Sequence, residues 1–343
     1  MGSVLSSTNR SVAVNRKIVI ICLAVILWAI LAGNFWRFLP PDPVFAQAVS
    51  LYSSVLSETT IVGLDFSSLT TTLGNYAVKR SSENPLIAAL MVRLLEDAGA
   101  TSDTVVAING SGSFPGFMLA SLSACAALGL ETYVIASIGS STYGANMYGN
   151  TIADMLLKDS VSALGFTLLA VTPGGSGDRG LELDADELLR ISQMLENQGI
   201  PFIRPENLAE AIGLRVSLFN SAGSALLVNI GGGHAAIGND EELALMAGVL
   251  SPPGNEAFRE EGLVQNFLAA GIPVIQILNV HRLYESYGLE FDESGKLLAG
   301  REKIYRHRRL SPLFTLLPII AALVLLAVNR YTRKDQRGGQ HFV

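Results

Sequence analysis

Almost half of this 343-residue chain is apolar, with 49% hydrophobic and only 16% charged side chains. An ordinary soluble enzyme is excluded by that composition, and the apolar excess lies at the two ends of the chain. Between the ends, residues 43–300 contain 27 acidic and 11 basic side chains, a net charge of −16. Nucleic-acid binding is therefore disfavoured, because it normally needs a basic face.

Two uncharged segments, residues 18–36 and 312–328, predict transmembrane helices. Each is about long enough to cross the ~30 Å hydrocarbon core of a bilayer as a helix. The length of the first segment argues against a cleaved signal peptide. These spans divide the chain into a basic tail (1–17), an α/β domain (43–300), a basic juxtamembrane segment (301–309) and a second basic tail (330–343). The juxtamembrane segment is suited to anionic lipid headgroups.

Basic residues beside the spans predict the orientation of the chain. Both tails are basic, which favours cytoplasmic tails and an extracytoplasmic α/β domain. The basic residues of segment 301–309 nearly balance this preference from the other side of the second span. Because the first helix usually dominates, we expect the domain to be extracytoplasmic.

The region between the spans alternates helical and strand patterns in chain order. A period typical of an amphipathic helix covers residues 44–56, and residues 67–74 form a polar loop. Further helices are predicted at 84–98, 117–130, 151–158, 184–198, 206–214 and 255–270. Strands are predicted at 104–108, 132–136, 166–171, 200–203, 225–230 and 273–277. This alternation predicts a doubly wound, Rossmann-like α/β domain with a mostly parallel sheet.

Four glycine-rich loops follow the predicted strands, at residues 109–116, 137–146, 173–180 and 231–234. Loops after the carboxyl ends of parallel strands form the ligand crevice of such a domain. Their backbone N–H groups and hydroxyls suit a carboxylate or phosphate, although the same residues also suit tight turns. The candidate ligand-binding residues are Ser111, Gly112, Ser113, Ser140, Ser141, Thr142, Asn146, Gly231 and Gly232.

The common cofactor and metal motifs are missing from these loops. Residues 110–116 resemble a dinucleotide fingerprint, but Ala136 and Ser137 stand where an acidic residue should hold the ribose. No glycine loop is followed by the lysine of a Walker A motif. The two cysteines and four histidines show no metal-ligand spacing. We therefore predict neither a cofactor nor a metal.

Catalytic residues are not identified by any motif, and three candidates stay open. No loop serine has a glycine two residues away on both sides, as a nucleophile elbow requires. Ser113 is a candidate nucleophile, and His234 after three glycines is a candidate base or a cap of its own loop. Asp178 lies beside Arg179, either as a functional pair or as turn residues.

Several of these motifs together resemble the poly-gamma-glutamate system proteins of bacterial capsule operons. The resemblance lies in residues 70–75, Lys79-Arg80, Asn84-Pro85, residues 111–115 and 137–146, and more weakly in 231–233. It covers about residues 60–240, and the two predicted spans agree with it. The chain departs from the family after Asn146, where Asn150 to Met155 replace an aromatic and acidic stretch and only Asp154 keeps the acidic character.

The resemblance implies a component of the bacterial cytoplasmic membrane that helps to make or export poly-gamma-glutamate. Its implied partners are the poly-gamma-glutamate ligase, the membrane proteins of that complex, the lipid bilayer, and a glutamyl chain end bound in the glycine and hydroxyl loops. Two alternatives remain, a membrane-bound hydrolase or transferase acting on poly-gamma-glutamate or a related amide, and a non-catalytic scaffold of the ligase complex. The net charge of −16 restricts polymer binding to a local contact, since an acidic surface repels a polyanion.

Overall fold

The computed structural model describes residues 43–252 and 262–305, and, near the two ends, residues 20, 23–25, 27–28 and 319–324. The chain divides into two compact units. One unit is made of Met1–Pro41 and Arg306–Val343, and the other of Asp42–Tyr305. The second unit contains the α/β fold.

A six-stranded, mostly parallel sheet lies at the centre of this unit and confirms the predicted α/β class. The strands are β1 (Thr70–Thr72), β2 (Val106–Ser111), β3 (Thr132–Ser137), β4 (Ser140–Ser141), β5 (Asn146–Met147), β6 (Asn150–Thr151), β7 (Thr167–Thr172), β8 (Leu226–Ile230), β9 (Gly248–Leu250), β10 (Val274–Ile277), β11 (Glu290–Phe291) and β12 (Leu297–Ala299). The central sheet has the order β7-β3-β2-β8-β10-β9. Only its edge strand β9 is antiparallel to its neighbour, β10.

Helices connect most of these strands. They are α1 (Pro43–Glu58), α2 (Tyr76–Ser81), α3 (Leu86–Asp97), α4 (Pro115–Leu128), α5 (Ile152–Leu156), α6 (Asp159–Ser162), α7 (Ala185–Glu196), α8 (Leu208–Ser221), α9 (His234–Ile237), α10 (Glu241–Leu245), α11 (Leu263–Ala269), α12 (Val280–Tyr287) and α13 (Arg301–Ile304). The predicted helix at 44–56 is confirmed as α1, whose buried residues recur every three or four positions.

The central strands are buried on both faces, as continuous apolar runs predict for a parallel sheet. Successive side chains of a strand point to opposite faces, so each strand contributes to two cores. In β2, Val106 and Ile108 join a core that includes α1, α3 and α4. Ala107 between them joins a second core with Phe219 of α8 and residues of α11. Helices therefore cover both faces of the sheet.

The strand order places a crevice at the centre of the sheet. From β2 the chain runs outward through β3 to β7, and it then returns to β8 on the other side of β2. The loops after β2 and β8 therefore leave in opposite directions from neighbouring strands. Ligands of open α/β sheets bind at such a switch point, outside the carboxyl ends of the strands.

Several local predictions were wrong because long-range pairing decides short elements. Within the predicted polar loop 67–74, Thr70–Thr72 form β1, which pairs in parallel with β4 of the second glycine loop. The predicted strand at 200–203 is reduced to a single bridge between Phe202 and Val171. The short helices α2 and α10 and the strand β9 were not predicted. Of the helix predicted at 255–270, residues 263–269 are helical, and residues 255–261 lie outside the described part.

The two predicted transmembrane helices lie for the most part outside the described residues. Their described residues, such as 23–25 and 319–324, are helical. Within the part of the chain that the structure describes, no helix is both long and apolar enough to cross a membrane. The tails 1–17 and 330–343, and residues 306–309 of the basic segment, also fall outside the described residues. The topology of the chain thus stays a prediction.

Candidate functional site

A cavity of about 520 Å³ lies at the switch point, between the loops that follow β2 and β8. The carboxyl ends of these strands contribute Asn109, Ser111 and Ile230 to its wall. The other walls come from the segment 71–74, the second glycine loop, the third glycine loop and the start of α9. All four predicted glycine loops therefore reach one cavity, of a volume typical of small-molecule sites.

Some of the predicted ligand-binding residues line this cavity, and others hold the loops in place. Ser111, Ser113, Ser141 and Gly232 lie in its wall. The remaining predicted residues are Gly112, Ser140, Thr142, Asn146 and Gly231, which the wall does not include. Their role in binding stays a prediction, and their contacts in the structure are with the protein itself.

Those contacts join the second glycine loop to the first glycine loop and to the segment before α2. Ser140 Oγ donates to Gly112 O at 2.9 Å, and Thr142 Oγ1 accepts from Gly74 N at 2.8 Å. The Asn146 amide bonds to the backbone of Leu64 in both directions. A Cβ on Gly112 would lie 2.6 Å from Ile138 O, so only glycine fits there without movement. Polar loop residues that looked like ligand donors thus satisfy buried backbone groups.

Lys79 of α2 belongs to this cavity and was not predicted as a site residue. Its side chain lines the wall, although the residue is only 2% exposed. Its Nζ donates to the backbone oxygen of Ser113 and to Ser141 Oγ, the latter at 2.9 Å. It also lies 3.6 Å from the ring centroid of Phe114. Among the described residues, no carboxylate lies within ion-pair distance of Nζ.

Burial without a carboxylate partner changes the acidity of this amine. Loss of hydration disfavours the charged form of a lysine. In Lys79 it lowers the pKa from an ordinary 10.5 to about 7. The sequence held only a weak signal for this residue, since a single lysine in a short helix does not reveal whether it points into a cavity.

Arg215 is the other buried cation of the cavity, and its guanidinium is fully engaged. A guanidinium has five N–H groups, and the structure gives each an acceptor. The acceptors are Asn109 Oδ1 (3.1 Å), Asp178 Oδ2 (2.7 Å), Ala211 O (3.0 Å), Ser137 Oγ (3.0 Å) and Thr172 Oγ1 (2.9 Å). Arg215 therefore fixes the third glycine loop, which carries Asp178, against the ends of the strands.

This arrangement places Asp178 in a structural ion pair. The described salt bridge of Asp178 is with Arg215 of α8, and not with its neighbour Arg179. Its backbone lies in the left-handed region with φ of 63°, which aspartate tolerates better than most residues. The carboxylate is only 3% exposed and also accepts from Thr172 Oγ1 at 2.9 Å. Sequence reasoning missed Arg215 because its partners are distant in the chain.

His234 begins α9 and connects two of the glycine loops. Its Nδ1 accepts a 3.3 Å hydrogen bond from the backbone N–H of Gly177 in the third loop. One of the two interpretations was that His234 caps the backbone of its own loop. The structure shows a contact with another loop instead. The imidazole is exposed at the wall of the cavity.

Replacing His234 with alanine is expected to leave the fold nearly unchanged. The side chain is exposed and makes one long hydrogen bond, so the free energy of unfolding should fall by at most about 1 kcal/mol. Chemical denaturation of the wild-type chain and the variant would measure this. A loss several times larger would show that His234 holds the third glycine loop in place.

The described residues contain no group of three or more histidine, cysteine, aspartate or glutamate side chains that would hold a metal ion. Residues 253–261 border β9 and lie outside that statement. The charged groups of the described cavity wall are Lys79, Asp178, Glu182 and Arg215. With Arg215 and Asp178 paired, Lys79 is the cation available to a ligand.

Comparison with known proteins adds little to this geometry. No protein-family profile and no curated protein matches the chain. Among solved structures, apo diaminopropionate ammonia lyase of Escherichia coli is 12% identical with a TM-score of 0.17, covering 55% of this chain and 57% of that one. A hydrogen sulfide-producing enzyme of Fusobacterium nucleatum is 14% identical with a TM-score of 0.20, covering 74% of this chain and 90% of that one. Likenesses this weak carry no argument about function.

Proposed function

We propose that the switch-point cavity binds a small ligand through a carboxylate, with Lys79 as its counter-charge. The observation that carries this proposal is a buried lysine at the cavity wall without a carboxylate partner among the described residues. Burying an ammonium is costly unless it is paired. A ligand carboxylate would supply the missing charge, and it would restore the pKa of Lys79 toward its ordinary value.

The hydroxyls of the wall support an acid ligand, while the carboxylate of Glu182 in the same wall accepts from the backbone N–H of Ser176 at 2.7 Å. Ser111 and Ser113 line the same wall and bring hydroxyls that can donate to carboxylate oxygens. Thr72 of β1 adds another hydroxyl, whereas Thr71 Oγ1 already donates to Ser140 O at 3.2 Å. Arg215 is excluded as the ligand's partner because its N–H groups already have acceptors within the protein.

The resemblance to the poly-gamma-glutamate system proteins suggests which acid is bound. We infer a γ-glutamyl chain end, held by a doubly wound, Rossmann-like domain that two membrane spans flank. In this proposal the protein is an accessory component of poly-gamma-glutamate synthesis or export at the bacterial cytoplasmic membrane. Its partners there are the ligase and the membrane proteins of that complex. One chain end fits a local cation better than a long polyanion fits a domain with a net charge of −16.

Binding of γ-glutamylglutamate to the full chain tests the proposal directly. Calorimetry should show that Lys79→Met weakens binding about 10- to 100-fold, as expected for the loss of a charge-assisted hydrogen bond. Lys158→Met is the matched control, because Lys158 Nζ contacts only the backbone oxygen of Glu58 at the surface. Equal affinity in the wild-type chain and Lys79→Met would refute the site.

Two experiments separate the alternatives: incubation of the protein with poly-gamma-glutamate, and measurement of polymer output in cells. Release of shorter chains by the wild-type protein would favour the hydrolase or transferase. Full polymer output in cells that carry only the Lys79→Met variant would favour the scaffold. Loss of surface polymer in the same cells, with normal protein levels, is the result that we expect.

A further inference from the structure

The buried amine of Lys79 has a chemical capacity that simple ion pairing does not use. The structure describes the side chains of Lys79, Lys158 and Lys296, and only Lys79 is buried. The other two reach the surface of the protein. Lys79 is therefore distinguished by its place at the wall of an internal cavity and by its partners there.

We propose that Lys79 is a nucleophile, and that the cavity takes an aldehyde or ketone with an anionic group, which condenses with Nζ to form an imine. This rests on the proposed function, in that the anionic group is the one that the site binds. The carbonyl ligand differs from the γ-glutamyl chain end, which has neither an aldehyde nor a ketone, and it shares only the anionic group with that ligand.

The contacts of Nζ leave the amine ready for this reaction. A neutral amine has two N–H groups and one lone pair. The backbone oxygen of Ser113 can only accept, and Ser141 Oγ accepts at 2.9 Å. When both N–H groups donate to these oxygens, the lone pair accepts no hydrogen bond from a described residue, and the Phe114 ring lies beside the amine with its centroid 3.6 Å from Nζ. No carboxylate of the described residues lies within ion-pair distance to hold Nζ as ammonium, so the charge that the ligand's anionic group would pair with is that of the protonated imine.

Burial supplies the neutral form of the Lys79 amine, which is the reactive form. Only the neutral amine attacks a carbonyl, and desolvation in a cavity is a known way to produce it. With a pKa of about 7, roughly half of the Lys79 side chains are neutral at pH 7. An ordinary exposed lysine is almost entirely charged at that pH.

The step balances without any oxidant or reductant. The Nζ lone pair forms a bond to the carbonyl carbon, and the carbonyl oxygen takes up a proton from solvent to give a carbinolamine that is protonated on nitrogen. One proton then moves from this nitrogen to the hydroxyl oxygen, the C–O bond breaks, and one water leaves to give the protonated imine. Ser141 Oγ, which is within hydrogen-bond distance of Nζ, is placed to pass that proton. The protonated imine keeps a positive charge beside the ligand's anionic group.

Reductive trapping of the full chain tests the inference. Limiting glyoxylate, whose acid is a carboxylate, and limiting pyridoxal 5′-phosphate, whose acid is a phosphate, would be added separately and reduced with borohydride. Peptide mass mapping should show fractional modification of Lys79 more than about tenfold above that of Lys158 or Lys296, because its neutral fraction is far larger. The ratio of Lys79 to Lys296 modification within each sample cancels the difference in aldehyde reactivity, so the probe with the higher ratio identifies the anionic group.

Two further measurements make the outcome decisive. The Lys79→Arg variant should lose the dominant modification, whereas Lys158→Arg should keep it. Comparison of peptides within one wild-type sample needs no variant, so a folding defect cannot hide the result. Modification of Lys79 no greater than that of Lys296 would overturn the inference. If γ-glutamylglutamate still bound in that case, the proposed carboxylate site would be retained and only the proposed imine would be rejected.

Discussion

Replacing Asp178 with asparagine is expected to lower the free energy of unfolding by about 3–5 kcal/mol, the largest stability effect of the substitutions considered. The reason lies in Arg215, which is 1% exposed and would keep its charge in the core without a counter-charge. Asparagine is nearly the same size and tolerates the left-handed backbone of this position, so the change isolates the charge. Denaturant unfolding at neutral pH would measure it.

A double substitution separates the charge from the packing. Replacing Arg215 with methionine in the Asp178→Asn background removes the unpaired cation, and part of the lost stability should return. Asp103→Asn, at an exposed loop position, is the control and should change stability by less than about 0.5 kcal/mol. If Asp178→Asn behaved like that control, the buried ion pair would not be what fixes the third glycine loop.

Lys79→Met is expected to stabilise the protein at pH 7 while it weakens ligand binding. The pKa of Lys79 falls from 10.5 in an exposed chain to about 7 in the fold. At pH values between these two pKa values, the unfolded chain binds more protons than the folded chain. The free energy of unfolding therefore rises with pH across this window. The free-energy cost of burying the charged Lys79 amine is fully present below pH 7, where it amounts to roughly 4–5 kcal/mol. Loss of two hydrogen bonds offsets about 2 kcal/mol of the gain in the variant.

Denaturant unfolding at pH 7, 8 and 9 tests whether the free energy of unfolding rises with pH. The wild-type chain should gain up to about 1.4 kcal/mol per pH unit from this group, and the Lys79→Met variant should lack that contribution. Lys158→Met should follow the wild-type slope, because its amine lies at the surface. Parallel curves for all three proteins would mean that Lys79 is charged and well solvated in the fold.

These two expected effects assign different roles to the two buried cations of the cavity. Arg215 meets five acceptors of the protein and contributes to the fold. Lys79 is expected to lower stability where it stands, and such a residue is typical of a functional site. The proposed ligand would relieve that cost, so binding and folding should be coupled through this one side chain.

The periodicity of the chain predicted the larger elements well. Continuous β-branched runs and long amphipathic or small-residue helices depend on local pattern, which the sequence shows directly. The strand at Leu226–Ile230 and the helix Pro115–Leu128 were found for this reason. Elements such as Thr70–Thr72 were missed, because this strand exists only through pairing with Ser140–Ser141 from a distant loop.

By itself, the sequence determined the α/β class, the parallel character of the sheet, and the glycine-rich loops that meet at its carboxyl edge. Only the tertiary structure decided which loop residues face the cavity. Ser140, Thr142 and Asn146 satisfy backbone groups of the protein, whereas Lys79 reaches the cavity from a separate short helix. The physical reason is that burial and hydrogen-bond partners depend on segments far apart in the chain. Local pattern reports the type of each residue, but the environment that sets its charge exists only after folding.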